Sequence, residues 1–264
     1  ERIKIVHSSQ VIEMNEHPVD AVKKKKDASV MVAFDLVRKG EADAAVSAGN
    51  SGATMAAAVR KLGRLGTISR PGIASIFPTL KKPVVLMDIG ANVDCRPQHL
   101  LQFAIMASAF SRVIDINNPR VGLLTIGEET GKGNSLIKET YPLLEKSSLN
   151  FIGNVEGRDV FQGNVDVIVC DGFVGNICLK VSEGLAEAAM LMLRDEILKS
   201  FSAKIGYFLA RHAFRSFRKR VDYAEYGGAP LLGIDGVGII CHGKSSSQAI
   251  KNAILEAEKM VKRD

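Results

Sequence analysis

The chain has 264 residues, 46% of them hydrophobic and 24% charged, which suits one large folded core and argues against wholesale disorder. No apolar run approaches the ~20 residues of a bilayer span and no signal peptide opens the sequence, so a soluble, cytoplasmic protein is expected. The net charge of +6 points to anionic partners: phosphate, acidic carrier proteins, anionic lipid or nucleic acid.

In chain order, short runs rich in Val, Ile and Ala alternate with helical segments. After the solvated run Lys23–Lys26, a helix is predicted over 28–39, capped by Asp27 and ended by Gly40. A buried strand follows at 44–48, then a helix at 53–62, a strand at 84–89 and a helix at 98–110. Strand 121–126, helix 135–145, strand 165–170, helix 176–198, strand 237–241 and helix 246–262 complete the series. Such alternation implies right-handed crossovers and a mostly parallel sheet in an αβα sandwich, with 1–264 as a single domain. Cys95, Cys170, Cys178 and Cys241 form no C-x-x-C pair, so they read as reduced thiols rather than as disulfides or a zinc site.

Nearly every strand runs into small and polar residues: SAGNSGAT (47–54), DIGANVD (88–94), IGEETGKGN (126–134), CDGFVGN (170–176) and CHGKSS (241–246). Open parallel sheets hold ligands at the carboxyl ends of their strands, where glycines admit a ligand and helix starts favour anions. The expectation is five loops converging on one phosphate-bearing ligand. Known nucleotide signatures fail. The stretch from Gly127 to Gly133 has three residues between its glycines, not four, and Gly133 stands where a P-loop has Ser or Thr. No dinucleotide fingerprint or G-x-S-x-G elbow is present.

At these loops the sequence resembles the bacterial phosphate acyltransferases (acyl-ACP:phosphate acyltransferases) of fatty acid and phospholipid synthesis. The matching stretches are SAGNSGATMAA (47–57), RPGIASIFPT (70–79), DIGANVDCRPQHLLQFAIMAS (88–108) and NPRVGLLTIGEETGKGNSL (118–136). NFIGNVEGRD (150–159), DVIVCDGFVGNICLK (166–180) and YGGAPLLGIDGVGIICHGKSS (226–246) continue the match over nearly the whole chain. The family also begins with a strand and a D-A-M-G-G-D motif, which this sequence lacks. The resemblance implies a phosphotransacetylase-like fold, with isocitrate-isopropylmalate dehydrogenase-like architecture as a more distant relation. It implies transfer of an acyl group from acyl carrier protein to inorganic phosphate, with no cofactor, by a homodimer; no metal is expected, because no Cys/His ligand cluster is present. Two other classes stay open: a coenzyme A-dependent phosphotransacetylase or butyryltransferase, and a non-enzymatic membrane- or nucleic-acid-binding module. Nucleic acid is not the expected partner, because it would leave the five loops unexplained.

Phosphate is already a competent nucleophile at neutral pH, so catalysis needs alignment and oxyanion donors more than a strong base. Lys132, between two glycines, reads either as a solvated loop lysine or as the cation for phosphate or oxyanion, and the resemblance implies the catalytic role. It implies the same for Asn176, which also suits a helix cap. Asn50, Ser51, Gly52, Asn92, Asp94, Gly131, Gly133, Gly172, Gly175 and His242 are the expected phosphate or substrate contacts. Asp94 is equally suited to capping the helix at Arg96–Pro97. His99 reads as a packed helix residue, and Asp171 and Glu128 as groups that orient Lys132 or backbone N–H.

One segment has a different character. Between 197 and 220 there are seven cationic residues and no acidic one, with aromatics interleaved. Apolar stripes at Ile197, Phe201, Ile205 and Phe208, then at Ala210, Phe214, Phe217 and Val221, predict a basic amphipathic hairpin over 197–222 with a break near Gly206. One reading is an internal hairpin or dimer interface. The other is reversible binding to the anionic inner face of the membrane through Leu209, Phe214, Phe217, Arg215 and Arg218.

Overall fold

A computed structural model describes residues 3–221 and 227–263, with the backbone alone at 218–221. The helices are α1 (Pro18–Lys24), α2 (Ser29–Arg38), α3 (Ser51–Lys61), α4 (Pro97–Phe110), α5 (Ser135–Glu145), α6 (Gly172–Lys199), α7 (Phe201–Leu209), α8 (Arg211–Val221) and α9 (Ser247–Lys262). The strands are β1 (Ala44–Ser47), β2 (Gly72–Phe77), β3 (Val84–Met87), β4 (Val121–Leu124), β5 (Phe151–Val155), β6 (Val167–Val169), β7 (Ala229–Leu232) and β8 (Val237–Ile240). They form one eight-stranded sheet in the order β1-β8-β7-β2-β3-β6-β4-β5.

The sheet is buried on both faces, and the alternation of side chains along β3 makes this plain. Val84 and Leu86 join a cluster with Met31, Phe34 and Ile168 on the face that includes Leu179 of α6. Val85 and Met87 point the other way, into a cluster with Leu100 and Phe103 of α4 and Leu144 of α5. All four β3 residues have no exposed surface, as a doubly covered strand requires. The expected αβα sandwich is therefore present.

Four of the seven strand pairings are parallel and three are antiparallel. The antiparallel ones all involve β2 or β7, two strands that the apolar periodicity did not mark. β2 begins on glycine and carries Ser75 in its middle, and β7 contains Pro230. Pairing of β7 with β2 covers only Leu231 and Leu232, so the missing N–H of Pro230 is not asked for there. β2 changes partner along its length: Gly72 and Ile73 pair with β7, Ala74 to Phe77 with β3. It thus joins two four-stranded halves in which β1 and β8 run opposite to β3, β6, β4 and β5.

At the end of β3 the chain is locked by one side chain. Asp88 is wholly buried, and its carboxylate accepts from Ile73 N–H (3.0 Å), Ala91 N–H (3.2 Å), Asn92 N–H (2.6 Å) and Asn92 Nδ2–H (3.0 Å). Burial pushes this carboxyl up from its ordinary value, and the four N–H donors oppose that shift. Two glycines of α6 then close onto the same loop. A Cβ on Gly175 would lie 1.9 Å from the Asp88 carbonyl oxygen, and one on Gly172 would lie 2.7 Å from that of Asn92. By contrast, nothing lies within 4 Å of a Cβ built on Gly131.

These two environments make opposite predictions. Gly175→Ala overpacks backbone against backbone and should cost about 2 kcal/mol or more, a fall in melting temperature of roughly 4–8 °C. Gly131→Ala should leave it within about 1 °C. Equal melting temperatures for the two variants would contradict this packing.

Candidate active site

The five small-residue loops form two groups rather than one, because strand directions differ between the halves of the sheet. Loops 47–54 and 241–246 follow β1 and β8 and gather with the segment 13–18. Loops 88–94, 126–134 and 170–176 follow β3, β4 and β6. Among the described residues no hydrogen bond joins the two groups. This corrects the expectation of five loops on one edge. Its physical cause is the pair of antiparallel strands, β2 and β7, between the halves.

In the first group Asn50 and Gly52 are committed to structure. Asn50 caps α3 by accepting from Ala53 N–H (3.0 Å), and its amide N–H group donates to the carbonyls of Met14 (3.1 Å), Glu16 (3.3 Å) and Glu13 (3.4 Å). Gly52 lets α3 approach α1, since a Cβ there would lie 2.6 Å from Pro18 Cγ. Ser51 and His242 are exposed, and His242 Nδ1 accepts from Lys244 N–H at 3.1 Å.

The second group is denser. β3, β6 and β4 are consecutive in the sheet, so their carboxyl ends lie within about 10 Å of one another. Asn92 is buried, and its side-chain N–H group donates to Pro71 O (2.8 Å) and to Asp88. It positions the loop and has no N–H left for a ligand. Asp94 is exposed; its carbonyl takes a hydrogen bond from Arg70 Nη1 (2.8 Å). It does not cap α4: Arg96 occupies that position, and His99 Nδ1 accepts from Arg96 N–H at 3.1 Å. That bond and its burial make His99 the packed helix residue expected, and desolvation, with Arg70 and Arg96 nearby, lowers its pKa.

The start of α6 is likewise filled. Asp171 Oδ1 accepts from Val174 N–H (2.9 Å), the Gly175 N–H goes to Asp171 O (3.0 Å), and the Gly172 N–H goes to Asn92 O (2.8 Å). Gly172 and Gly175 therefore serve close packing and offer no backbone donor to phosphate. Asn176 is not the cap expected of it. It sits within the first turns of the helix, exposed, beside Gly90: a Cβ on Gly90 would lie 3.4 Å from both Cβ and Oδ1 of Asn176. Gly90 has φ of +125°, so the turn both needs glycine and leaves the Asn176 amide clear.

Lys132 is exposed on the β4 loop, its stem folded over Gly127, where a Cβ would lie 3.1 Å from Lys132 Cγ. Gly133 has φ of +105° and turns the chain into α5 against Thr125 and Ile137, with Asn134 as the cap (3.0 Å to Ile137 N–H). Glu128 does not orient Lys132. It pairs with Arg158 (3.1 Å), which also holds Glu156 (3.1 Å). Lys132 has no ion-pair partner among the described residues.

Three residues here escaped the sequence reading. Arg70 brings a second cation to the 88–94 loop from the start of the β2 segment, and its RPG context carried the only signal. The Thr125 hydroxyl and the Asn154 side-chain carbonyl lie buried at the foot of the Lys132 loop without a hydrogen-bond partner among the described residues.

The helical segment after α6 also differs in detail from expectation. The breaks fall at Ser200, whose Oγ accepts from Ala203 N–H, and at Ala210, with Gly206 inside α7. No described residue from 201 to 217 is buried, so these aromatics are not core of the single chain. Leu209 and Phe201 are 75% and 80% exposed, and Arg211 stacks over Phe208. Phe214 packs on Tyr207 at 4.9 Å between ring centroids, Phe217 turns back toward α6, and Arg215 is exposed. The side chain of Arg218 lies outside the described residues, as does the end of the expected hairpin at residue 222.

Comparison with known proteins places this arrangement. A model of the family described as "Fatty acid synthesis protein" matches residues 1–264. A phosphate acyltransferase of Geotalea uraniireducens is 61% identical over 253 residues, 96% of this chain and 73% of its own length. One from Pelobacter propionicus is 60% identical over 257 residues, 97% of this chain and 74% of its own. Among solved structures, a phosphotransacetylase from Streptococcus pyogenes superposes with a TM-score of 0.59 at 18% identity, covering 93% of this chain and 70% of that one. A branched-chain phosphotransacylase from Enterococcus faecalis gives 0.58 at 15%, with 89% and 79% covered, and a 4-hydroxythreonine-4-phosphate dehydrogenase from Klebsiella pneumoniae gives 0.51 at 14%, with 88% and 69%. Those structural likenesses bear on fold alone, which is phosphotransacetylase-like, as expected, and shared with a dehydrogenase. The sequence identities bear on kinship: the chain belongs to the fatty acid synthesis protein family and is an acyltransferase related to the phosphate acyltransferases.

Proposed function

We propose that this chain moves a fatty acyl group from the thioester of an acyl carrier protein to inorganic phosphate, yielding acyl phosphate for phospholipid synthesis. The observation that carries the reading is the placement of an exposed Lys132, without an ion-pair partner among the described residues, and an exposed Asn176 beyond the ends of the neighbouring strands β4 and β6. A phosphate oxygen attacks the thioester carbonyl carbon, forming a carbon–oxygen bond and an oxyanion. Collapse of the oxyanion breaks the carbon–sulfur bond, and the carrier leaves as a thiolate that takes a proton from solvent. Lys132 neutralises phosphate and developing oxyanion, and the Asn176 amide donates to the oxyanion. Arg70 adds positive charge on the approach. Asn92, Gly172 and Gly175 position the loops, and Asp94, Gly131 and Gly133 shape the space around the phosphate. This chemistry requires no cofactor, because phosphate itself is the nucleophile.

Two surfaces support partners. Phe173, Ile177, Val181 and Leu185 recur every fourth residue on α6 and are 45–68% exposed, a stripe suited to a second copy in a homodimer. The α7–α8 hairpin, basic and apolar at its exposed tip, suits the anionic cytoplasmic face of a membrane, where an amphiphilic acyl phosphate would be consumed. Among the described residues no helix is long and apolar enough to cross a membrane, so the proposed association is peripheral.

Thiol release from acyl carrier protein, long-chain acyl-CoA and acetyl-CoA, each with and without phosphate, tests the reaction. Phosphate-dependent release that is fastest from the acyl carrier thioester is expected, and release indifferent to phosphate would overturn the reading. Lys132→Ala should lower kcat/KM by about 10²-fold or more, with little change in melting temperature because the side chain is exposed. Unchanged kinetics would remove Lys132 from the mechanism. Wild-type protein should sediment with anionic vesicles and not with neutral ones, increasingly so at low salt. Leu209→Glu should abolish that while leaving turnover in solution intact, and equal sedimentation of both proteins would discard the hairpin as the contact.

A further inference from the structure

Alongside α6 lies a predominantly apolar cavity of about 270 Å³ that the reaction scheme does not yet use. Its walls include Phe77 and Pro78 at the end of β2, Phe161 from the turn after β5, Leu179 and Ala186 on α6, and Phe217 on α8. We propose that this cavity receives the hydrocarbon chain of the acyl group, so that substrate lies along α6 with its thioester carbonyl at Asn176. The assignment rests on the acyltransferase reading above and adds to it the place and the length limit of the acyl chain.

Three observations carry it. The first is continuity with the site. Asn176, Leu179, Glu183 and Ala186 fall at helical spacings of three, four and three, one stripe of α6. With a rise of about 1.5 Å per residue, Leu179 lies ~5 Å and Ala186 ~15 Å along the axis from Asn176. A chain entering beside Asn176 therefore meets the cavity within one turn and can follow it for two more. The second is chemistry. No lysine or arginine lines the cavity among the described residues, and Glu183, the one charged residue in its wall, is already paired with Lys180 at 2.8 Å. The described walls thus offer an anionic headgroup no cation, and their apolar surface suits a hydrocarbon. The third is the rim. Phe161 and Phe217 are 42% and 51% exposed, apolar surface that a bound chain would cover. Phe217 belongs to the basic hairpin, so the open side of the cavity faces the element proposed to meet the membrane.

The test is a chain-length profile with saturated carrier thioesters from butyryl to stearoyl. In wild-type protein kcat/KM should rise by up to about four-fold per added methylene while the chain fills the cavity, then level off. Ala186→Phe should lower the long-chain values by about ten-fold or more and leave butyryl within about two-fold, moving the plateau to shorter chains. An identical profile in the variant, or an equal loss at every length, would overturn the assignment while leaving the reaction intact. Absence of phosphate-dependent release from every thioester would instead overturn the underlying reading, and the assignment with it. A measurement on wild-type protein needs no variant to fold: a long-chain thioester with a terminal diazirine should label residues 75–80, 161, 179–186 or 217. Labelling confined to other segments would overturn the proposal.

Discussion

The candidate site depends on one buried carboxylate. Asp88 gathers four N–H donors from β2 and from its own loop, and it does so at the point where β2 passes from one half of the sheet to the other. A buried ion without such partners would cost several kcal/mol. With them, the direction of β2, the path of residues 88–92 and the position of Asn92 are fixed together. The glycines of α6 then dock against that fixed loop so closely that no side chain fits, which sets where Asn176 emerges. Asn176 itself is exposed, but the loop and helix start that carry it are packed on buried backbone.

This division of labour separates the polar residues of the loops into two kinds. Asn50, Asn92 and Asp171 have their hydrogen-bonding groups engaged by the backbone, so their chemistry is spent on geometry. Lys132 and Asn176 are exposed, with no hydrogen bond from either side chain to another described residue. In the proposed reaction these two donors can turn to the developing charge without first giving up an internal partner. Arg70 and Lys132 bring positive charge to the loops, while more of the chain's cations lie along α7 and α8.

Much of the fold was legible in the sequence, and the failures have two physical causes. Val84–Met87, Val121–Leu124 and Val167–Val169 are buried on both faces and read as continuous apolar runs, so their strands were visible. β5 was not, with Gly153 and Asn154 breaking its run, and neither were β2 and β7, because Gly72, Ser75 and Pro230 interrupt the apolar pattern. Those two strands reverse the chain's direction within the sheet, and missing them merged two groups of loops into one. Glycine was the second source of error. A sequence does not distinguish a glycine that admits a ligand from one that admits a neighbouring backbone, and Gly52, Gly172 and Gly175 are of the latter kind. Lys132 and Asn176 stood out through family resemblance, whereas Arg70, Thr125 and Asn154 required the strand order to bring them to the same end of the sheet.

The central claim is that the β3, β4 and β6 loops hold the transferred phosphate, and a bound ligand tests it most directly. A crystal of the protein with a non-hydrolysable long-chain acyl phosphonate would locate the headgroup without reference to rates. The account predicts phosphonate oxygens within hydrogen-bonding distance of Lys132 Nζ and Asn176 Nδ2. A headgroup held by loops 47–54 and 241–246, with neither Lys132 nor Asn176 in contact, would contradict it.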